Sequence, residues 1–599
     1  MKYLPKIRKY NFFNVILIIL LSLAGTNLLH KIFKGAILSS VLYTTLSFSF
    51  FVIIFSLDKW PWMKLKKTRI NGHFWWILSI LNLGYVIYNW VGRPDFPGDY
   101  MIHKMFTLQL LNGFTEGHMF YSGEPGVYPP LAHTGIALLS NLSGMSVHHC
   151  YFLLTVFIAF LIPLASYHLA SELGFSRLST FFFASFISIW QPIALFGLVR
   201  YRWFFDTAFS FSKPGIARNL NIITFLIFLA LWFRIYQKKT KSFNNLVSLG
   251  ILGGLIGLTH PNCFFMAIIF LLIGFLLGIG KKESFIHSAM PLIAAGLISS
   301  LHYLPLLYNI IYYGGIQKIT LVSDVHLGPK RILYALLHPW TILIVFGLAK
   351  KDWDLWEKVA FSILMALFAF FIIFSFFPYI KDVWVVLRIK RFSQIIVILG
   401  ALLASNGIER ILTLRNIKGR AKFYVYGGVK FLIYLALSVM MAVGYISTYV
   451  HLNKSRDKVK FVKNNFVLKK IFPDGVKELE KLRFHMRNPK KTLLAQVKIS
   501  NKIARYVGLN VPYMKRHRIY LKKFLEKTVS QEERRDKVRK FYNHLNNKEK
   551  IRRDILEFFD SQAFLTRQDN LHQKLNVIYK TSITTNDGKV WYLYELEDK

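Results

Sequence analysis

Long, nearly uninterrupted apolar segments recur through the first 450 residues of this chain. They raise the hydrophobic share of its 599 residues to 54%, whereas soluble globular proteins contain about 45–50%. A run of about 17–25 apolar residues matches the hydrocarbon thickness of a bilayer. The sequence therefore predicts a mainly α-helical, polytopic membrane protein with thirteen spans, near residues 12–29, 36–57, 73–91, 147–171, 179–199, 216–236, 244–260, 262–280, 286–310, 331–349, 358–377, 391–412 and 423–450.

The basic residues between these segments predict the orientation of the chain. Loops rich in Lys and Arg stay in the cytoplasm, and thirteen spans with a cytoplasmic N-terminus place the basic clusters there, with Lys31 and Lys34 as the exceptions. This arrangement requires residues 130–144 to form a short helix on or in the outer leaflet. The loop 92–133 and the C-terminal segment after residue 450 are then predicted to be extracytoplasmic.

The chain is predicted to comprise a transmembrane domain at 1–450 and a basic extracytoplasmic domain at 451–599, which has 36 Lys and Arg against 17 Asp and Glu. Apolar residues spaced by three or four predict helices within 475–560. Two β-rich runs around Asn586-Asp587-Gly588 predict a hairpin, so this domain is expected to be small and α+β. The basic charge lies in short loops and in this domain, without a recognition motif, which favours membrane lipids and an anionic lipid-linked substrate over nucleic acid.

The loop 92–133 is the candidate catalytic segment. Asp99 and His103 are four residues apart and share one face of a helix, and a positioned carboxylate can act as a general base. Asp95 and Tyr128, which opens a Tyr-Pro-Pro turn, lie in the same loop. Alternatively, Asp99 simply caps the helix, since aspartate is favoured there.

Cations in two other predicted outer segments are candidate ligands for a donor phosphate, because arginine matches phosphate oxygens bidentately. The alternative is that they anchor the protein at the membrane interface. His260, in the turn before Pro261, is a candidate pocket residue, because ionisable groups near a membrane are often functional; a plain turn histidine is the alternative. The candidate phosphate ligands are Arg200, Arg202, Lys213, Arg218, Arg388 and Arg391.

The segments GDYMIHKMFTLQLLNG and YPPLAH resemble the outer loop of bacterial arabinofuranosyltransferases, which belong to the GT-C superfamily of membrane glycosyltransferases. The resemblance covers the whole chain in architecture and about 45 residues in motif. It implies that Asp99 (or Asp95) is the base, and that the donor is a polyprenyl-phosphate-linked sugar. The acceptor would be a cell-envelope glycan. No cofactor is predicted: the Asp99/His103 pair could also ligate a divalent metal, but the chain has no His-Glu-x-x-His motif or cysteine cluster that would indicate one.

Two other functions remain open at this point. A transporter or flippase of lipid-linked sugars would also be polytopic, but it should show inverted repeats and broken helices in two halves. A non-catalytic protein of envelope-polysaccharide assembly would have the same hydropathy. In that last case the acidic loop would tolerate Asp99→Ala without loss of activity.

Overall fold

A computed structural model describes most of the apolar segments and parts of the C-terminal domain. The described residues are 18–26, 72–90, 99–111, 129–188, 216–237, 242–280, 284–312, 339–349, 352–376 and 389–413, and, in the C-terminal domain, 481–482, 484–488, 491–496, 499–500, 503, 509, 511, 531–546, 549–573, 575–584 and 590–596.

The first 450 residues are helical wherever the structure describes regular elements. Residues 18–26 are helical and are followed by α1 (Gly72–Trp90), α2 (Asp99–Leu111), α3 (Leu131–Ser143), α4 (Val147–Glu172), α5 (Arg177–Ser188), α6 (Ile216–Gln237), α7 (Phe243–Thr259), α8 (Pro261–Gly280), α9 (Phe285–Tyr312), α10 (Pro339–Leu348), α11 (Leu355–Phe376) and α12 (Ile389–Thr413).

These helices confirm the predicted positions of most apolar segments. The predicted spans at 36–57 and 423–450 lie outside the described residues, so the count of thirteen stays a prediction. Four described helices are long and apolar enough to cross a membrane, as expected of a membrane protein. They are Val147–Glu172, Ile216–Gln237, Cys263–Gly280 and Phe285–Leu304.

One end of the helical bundle is held together by buried ion pairs, and we call it the ion-pair end. Arg234, near the end of α6, binds both carboxylate oxygens of Glu172 at the end of α4, at 2.7 and 3.2 Å. Glu357, in the first turn of α11, accepts hydrogen bonds from Arg410 and Asn406 of α12 at 2.6 Å each. Since the last turns of α4 and α6 meet here, these two helices run in the same direction.

The opposite end carries the polar residues of the candidate site, and we call it the histidine end. It contains the start of α4, the start of α6 and the turn between α7 and α8, where the Asn221 amide of α6 donates to the backbone carbonyls of Ile256 and His260 at 2.8 and 2.9 Å. A 22-residue helix such as α6 is about 33 Å long. The two ends are therefore separated by about the thickness of a bilayer core.

Residues 131–143 form the short helix α3, as predicted. Thirteen residues extend only about 20 Å, which is less than a bilayer core. The helix ends at Gly144, which adopts a left-handed backbone conformation (φ 67°). Leu131, Ala132 and Ile136 are buried, and α3 packs on α2, α4, α6 and α7. The neighbouring helices thus cover much of a segment that the sequence predicted to lie on or in the outer leaflet.

The C-terminal domain contains a four-stranded mixed sheet with the order β1-β2-β4-β3. Its strands are β1 (Leu493–Ala495), β2 (Ala563–Thr566), β3 (Val577–Thr584) and β4 (Val590–Leu596). β3 and β4 pair antiparallel, which confirms the predicted hairpin strands, while the predicted turn at Asn586-Asp587-Gly588 lies outside the described residues.

Both faces of this sheet are covered by apolar side chains. Leu494, Phe564 and Tyr594 pack with two helices, α13 (Gln531–Asn543) and α14 (Glu549–Phe558). Neighbouring residues of the same strands point to the other face, because side chains alternate along a strand, and they belong to a separate buried cluster. The prediction of helices over 475–560 is wrong at β1. That short segment becomes a strand because it pairs in parallel with β2.

Candidate functional site

Helix α2 is attached to α3 and α4 by three polar contacts along one face. The Tyr100 hydroxyl lies 2.7 Å from Nδ1 of His148. Nδ1 of His103 lies 2.9 Å from Nε2 of His133, and the hydroxyls of Thr107 and Tyr151 are 3.0 Å apart. Because these positions recur every three or four residues, one helical face brings all three side chains to the neighbouring helices.

His103 and His133 form a hydrogen-bonded pair whose nearly parallel rings meet edge to edge. Their ring centroids are 5.1 Å apart with an angle of 16° between the planes. Phe106 covers the same imidazole of His133 with a centroid distance of 4.8 Å. His133 is 1% exposed, whereas His103 is half-buried, so His103 is the member of the pair that a ligand can reach.

Burial holds the pKa of His133 well below the ordinary value of a histidine, and the charge of His103 lowers it further. A hydrogen bond with the backbone of Pro129 acts in the opposite direction. His133 is therefore neutral at physiological pH. A neutral imidazole can donate at one nitrogen and accept at the other, so His133 can fix the ring of His103 without adding a second positive charge.

The local sequence explains why these helices begin where they do. Asp99 is the first residue of α2, one helical turn before His103. Pro130 precedes α3, and proline is tolerated at a helix start because the first amides have no intrahelical partner. Ser146 caps α4 by accepting a hydrogen bond from the backbone amide of His149, and this cap sets the position of His148 opposite Tyr100.

The start of α6 adds polar groups at the same end. Arg218 lies in the first turn of α6 and is half-buried, and Asn219 is fully buried. The carboxamide oxygen of Asn221 accepts from the backbone amide of Cys263 at 3.0 Å. Together with its bonds to Ile256 and His260, this contact fixes the turn between α7 and α8, so His260, 8% exposed, is held next to the start of α6.

The structure places the predicted site residues unequally. It puts His103, Arg218 and His260 on elements that meet at the histidine end, where α3 packs against α2, α6 and α7. The side chains of Asp99 and Arg391 are not among the described ones, although their backbones are. Six predicted residues lie outside the described residues altogether: Asp95, Tyr128, Arg200, Arg202, Lys213 and Arg388.

Arg391 belongs to the first turn of α12, whose other end carries Arg410 at the ion-pair end. At 1.5 Å per residue, the two arginines are separated along the helix axis by roughly 30 Å. The backbone of Arg391 therefore lies on the side of the bundle toward the histidine end, which is compatible with the predicted phosphate role.

Sequence reasoning missed the partners of the loop residues. His133 is the last residue of the YPPLAH segment, and His148 lies at the start of the predicted span 147–171, so neither residue was a candidate. The sequence feature that could have identified His133 is its position three residues after the Pro129-Pro130 step. A helix that begins after Pro130 places His133 in its first turn, at the same end of the helix as the preceding loop.

In the parts of the chain that the structure describes, no group of three or more His, Cys, Asp or Glu side chains is arranged to hold a metal ion. Comparisons with known proteins add no identification, since no protein-family model matches the chain and no curated protein matches it either.

Proposed function

We propose that this protein is a membrane glycosyltransferase. It transfers a sugar from a polyprenyl-phosphate-linked donor to a hydroxyl of a cell-envelope glycan, on the extracytoplasmic side, with inversion at the anomeric carbon. The observation that carries the proposal is the His103–His133 pair, which joins α2 to α3; α2 begins at Asp99, and the pair lies at the same end of the bundle as Arg218.

The proposed reaction is a single displacement. The carboxylate of Asp99 takes the proton of the acceptor hydroxyl, and the acceptor oxygen forms a bond to the anomeric carbon. The bond between that carbon and the phosphate oxygen breaks, and its electron pair leaves with the lipid phosphate. A base near the acceptor and fixed positive charge near the leaving group are the two requirements of such a step.

His103 would orient the acceptor or Asp99, because it lies one turn further along α2. Its ring is fixed by His133 at 2.9 Å, and a fixed ring keeps Nε2 pointing in one direction. Arg218, in the first turn of α6, would contribute to the positive charge that stabilises the leaving phosphate, with Arg200, Arg202, Lys213, Arg388 and Arg391 proposed as further ligands. His260 and Tyr128 would line the acceptor pocket.

The proposal is tested by comparing Asp99→Asn with Asp95→Asn in membranes supplied with polyprenyl-phosphate-linked sugars and envelope glycan. We expect Asp99→Asn to reduce transfer at least a hundredfold, since loss of a general base costs about 10²–10⁴-fold. Expression and donor binding should stay near those of the unmodified protein. Asp95→Asn should have the smaller effect.

The matched pair of substitutions also identifies the base. Loss of transfer in Asp95→Asn with full activity in Asp99→Asn would exchange the roles of the two acids. Full activity in both variants would contradict the catalytic proposal.

A further inference from the structure

Asn219 is a fully buried amide in the first turn of α6. It is 0% exposed, and neither its nitrogen nor its oxygen has a hydrogen-bond partner among the described residues. Buried polar groups in native proteins nearly always have a partner, so each exception requires an explanation. Asn221, two residues later, shows the usual situation, because its amide makes three hydrogen bonds to the turn between α7 and α8.

Helical periodicity shows which way Asn219 faces. At 100° per residue, Asn219 lies roughly 60° around the helix axis from Arg234 and about 160° from Asn221. Arg234 faces α4, where it binds Glu172, and Asn221 faces the turn between α7 and α8. Asn219 is therefore on the α4 side of α6, at the end that packs against α3, the helix of His133.

The chemistry of the unsatisfied Asn219 amide defines the ligand. An amide offers donors at nitrogen and acceptor sites at oxygen, and a hydroxyl group, which also donates and accepts, can satisfy both. Arg218 is the adjacent residue, and its guanidinium suits a phosphate. The first turn of α6 contains no acidic residue, and the positive end of a helix dipole also favours an anion there.

From these observations we infer that Asn219 and Arg218 form a subsite for a glycosyl phosphate, in which Asn219 binds a sugar hydroxyl and Arg218 binds the phosphate. The inference rests on the proposed function and extends it, because it names the residue that distinguishes a sugar-bearing lipid phosphate from a bare one. In the structure the Asn219 amide has no hydrogen-bond partner, and the sugar hydroxyl of a bound donor would supply one.

The experiment measures the thermal unfolding of the detergent-solubilised full chain with two kinds of probe. One is farnesyl phosphate, and the other is a panel of farnesyl-phosphate pentoses and hexoses. In the unmodified protein, at least one sugar ester should raise the Tm more than farnesyl phosphate does. Arg218→Gln should reduce the shift produced by both kinds of probe.

Asn219→Ala should raise the Tm without ligand by about 2 °C, because it removes an unsatisfied buried group. It should also abolish the additional shift due to the sugar while keeping the shift produced by farnesyl phosphate. Asn221→Ala is the matched control, and it should lower the Tm because its amide is fully hydrogen-bonded.

The outcomes separate the two proposals. If Asn219→Ala lowers the Tm without ligand, or keeps the additional sugar shift, the inference is wrong while donor binding stands. If farnesyl phosphate raises the Tm of the unmodified protein and no sugar ester raises it further, the inference is also wrong while donor binding stands. No response to any probe would contradict both the inference and the donor chemistry of the proposed function.

Discussion

The two imidazoles of His103 and His133 share one hydrogen bond at 2.9 Å, so one of the facing nitrogens donates and the other accepts. If both rings were protonated, two N–H groups would point at each other and the contact would be lost. The packing of Phe106 and the burial of His133 favour the neutral form of that ring. The geometry of the pair therefore depends on pH through His133.

We expect the protein to lose stability as the pH falls below about 6.5, the pKa of an unperturbed histidine. In that range the unfolded chain takes up a proton at His133, but the folded chain does not, because burial lowers the pKa of His133 in the folded state. The contribution of His133 to the free energy of unfolding is complete above pH 6.5. It is lost on acidification, by at most about 1.4 kcal/mol per pH unit.

The measurement is thermal unfolding in detergent at several pH values between 5 and 8, for the unmodified protein and for His133→Gln. Glutamine does not titrate, so its Tm should depend less steeply on pH below 6.5. Histidines that do not contact His133 are common to both proteins and cancel in the comparison, whereas His103 interacts with His133, so the difference between the two profiles reports the pair. Identical pH profiles would show that His133 does not carry this effect.

At the same scale, the sequence identified several polar residues of the histidine end but not the residue that holds His103 in place. His103, Arg218 and His260 stand out because they are polar residues beside apolar segments. His133 does not stand out, because its importance depends on α3 folding back onto α2. Asn219 could not be identified either, since only the structure shows that its amide is buried without a partner.

Among the helices, α7 and α9 approach each other closely through glycine. A Cβ atom at Gly254 of α7 would lie 2.5 Å from the Cβ of Ile298 and 3.0 Å from the backbone oxygen of Ala295 on α9. A Cβ atom at Gly250 would likewise lie too close to the backbone oxygen of Pro291. In lipid there is no hydrophobic driving force between helices, so α7 and α9 associate through close packing. The small glycines allow the two backbones to approach, and this packing stabilises the helix pair.

Gly254→Ala should destabilise the protein by about 1–3 kcal/mol, because the added methyl group cannot fit without separating α7 from α9. Gly296→Ala is the matched control on α9. A Cβ at Gly296 meets nothing within 4 Å, and alanine is the better helix former, so this change should be neutral or slightly stabilising. Both are measured by thermal unfolding in detergent. Equal Tm values for the two variants would disprove the close-packing argument.

The helices were the most predictable elements. Apolar runs locate α4, α6, α7, α8 and α9 within a few residues because burial in a bilayer needs only length and hydropathy. β1 was missed because its three residues become a strand only by pairing with β2, which lies about 70 residues away in the sequence. Pairing at such a distance leaves no local pattern for sequence reasoning to detect.

The molecule as a whole is polarised along the bundle axis. Buried carboxylates paired with arginine gather at the ion-pair end, and His103, His133, His148 and His260 gather with Arg218 and Asn219 at the histidine end. This division agrees with the predicted topology, in which the ends of α4, α6 and α12 face the cytoplasm. The sequence predicted that the basic loops lie on one side of the bundle and the polar candidate residues on the other, but it did not predict the pairing of Glu172 with Arg234, which lie on different helices.

The predicted topology can be measured by cysteine labelling. Single cysteines at Ser122 and Ser530 should react with a membrane-impermeant maleimide in intact cells, because both positions are predicted to be extracytoplasmic. Background labelling should be low, since the native Cys150 and Cys263 are buried. Labelling of either position only after permeabilisation would reverse its assignment.

The order of the strands in the C-terminal sheet has a consequence for biosynthesis. β4 is the last of the four in sequence, yet it lies between β2 and β3. While the ribosome is still making residues 590–596, β2 and β3 have no strand to join them, and their edges are open to pairing with other chains. This domain must therefore wait for its last strand before it can fold, and a nascent chain interrupted before β4 would retain exposed strand edges that favour aggregation and attract quality-control proteases.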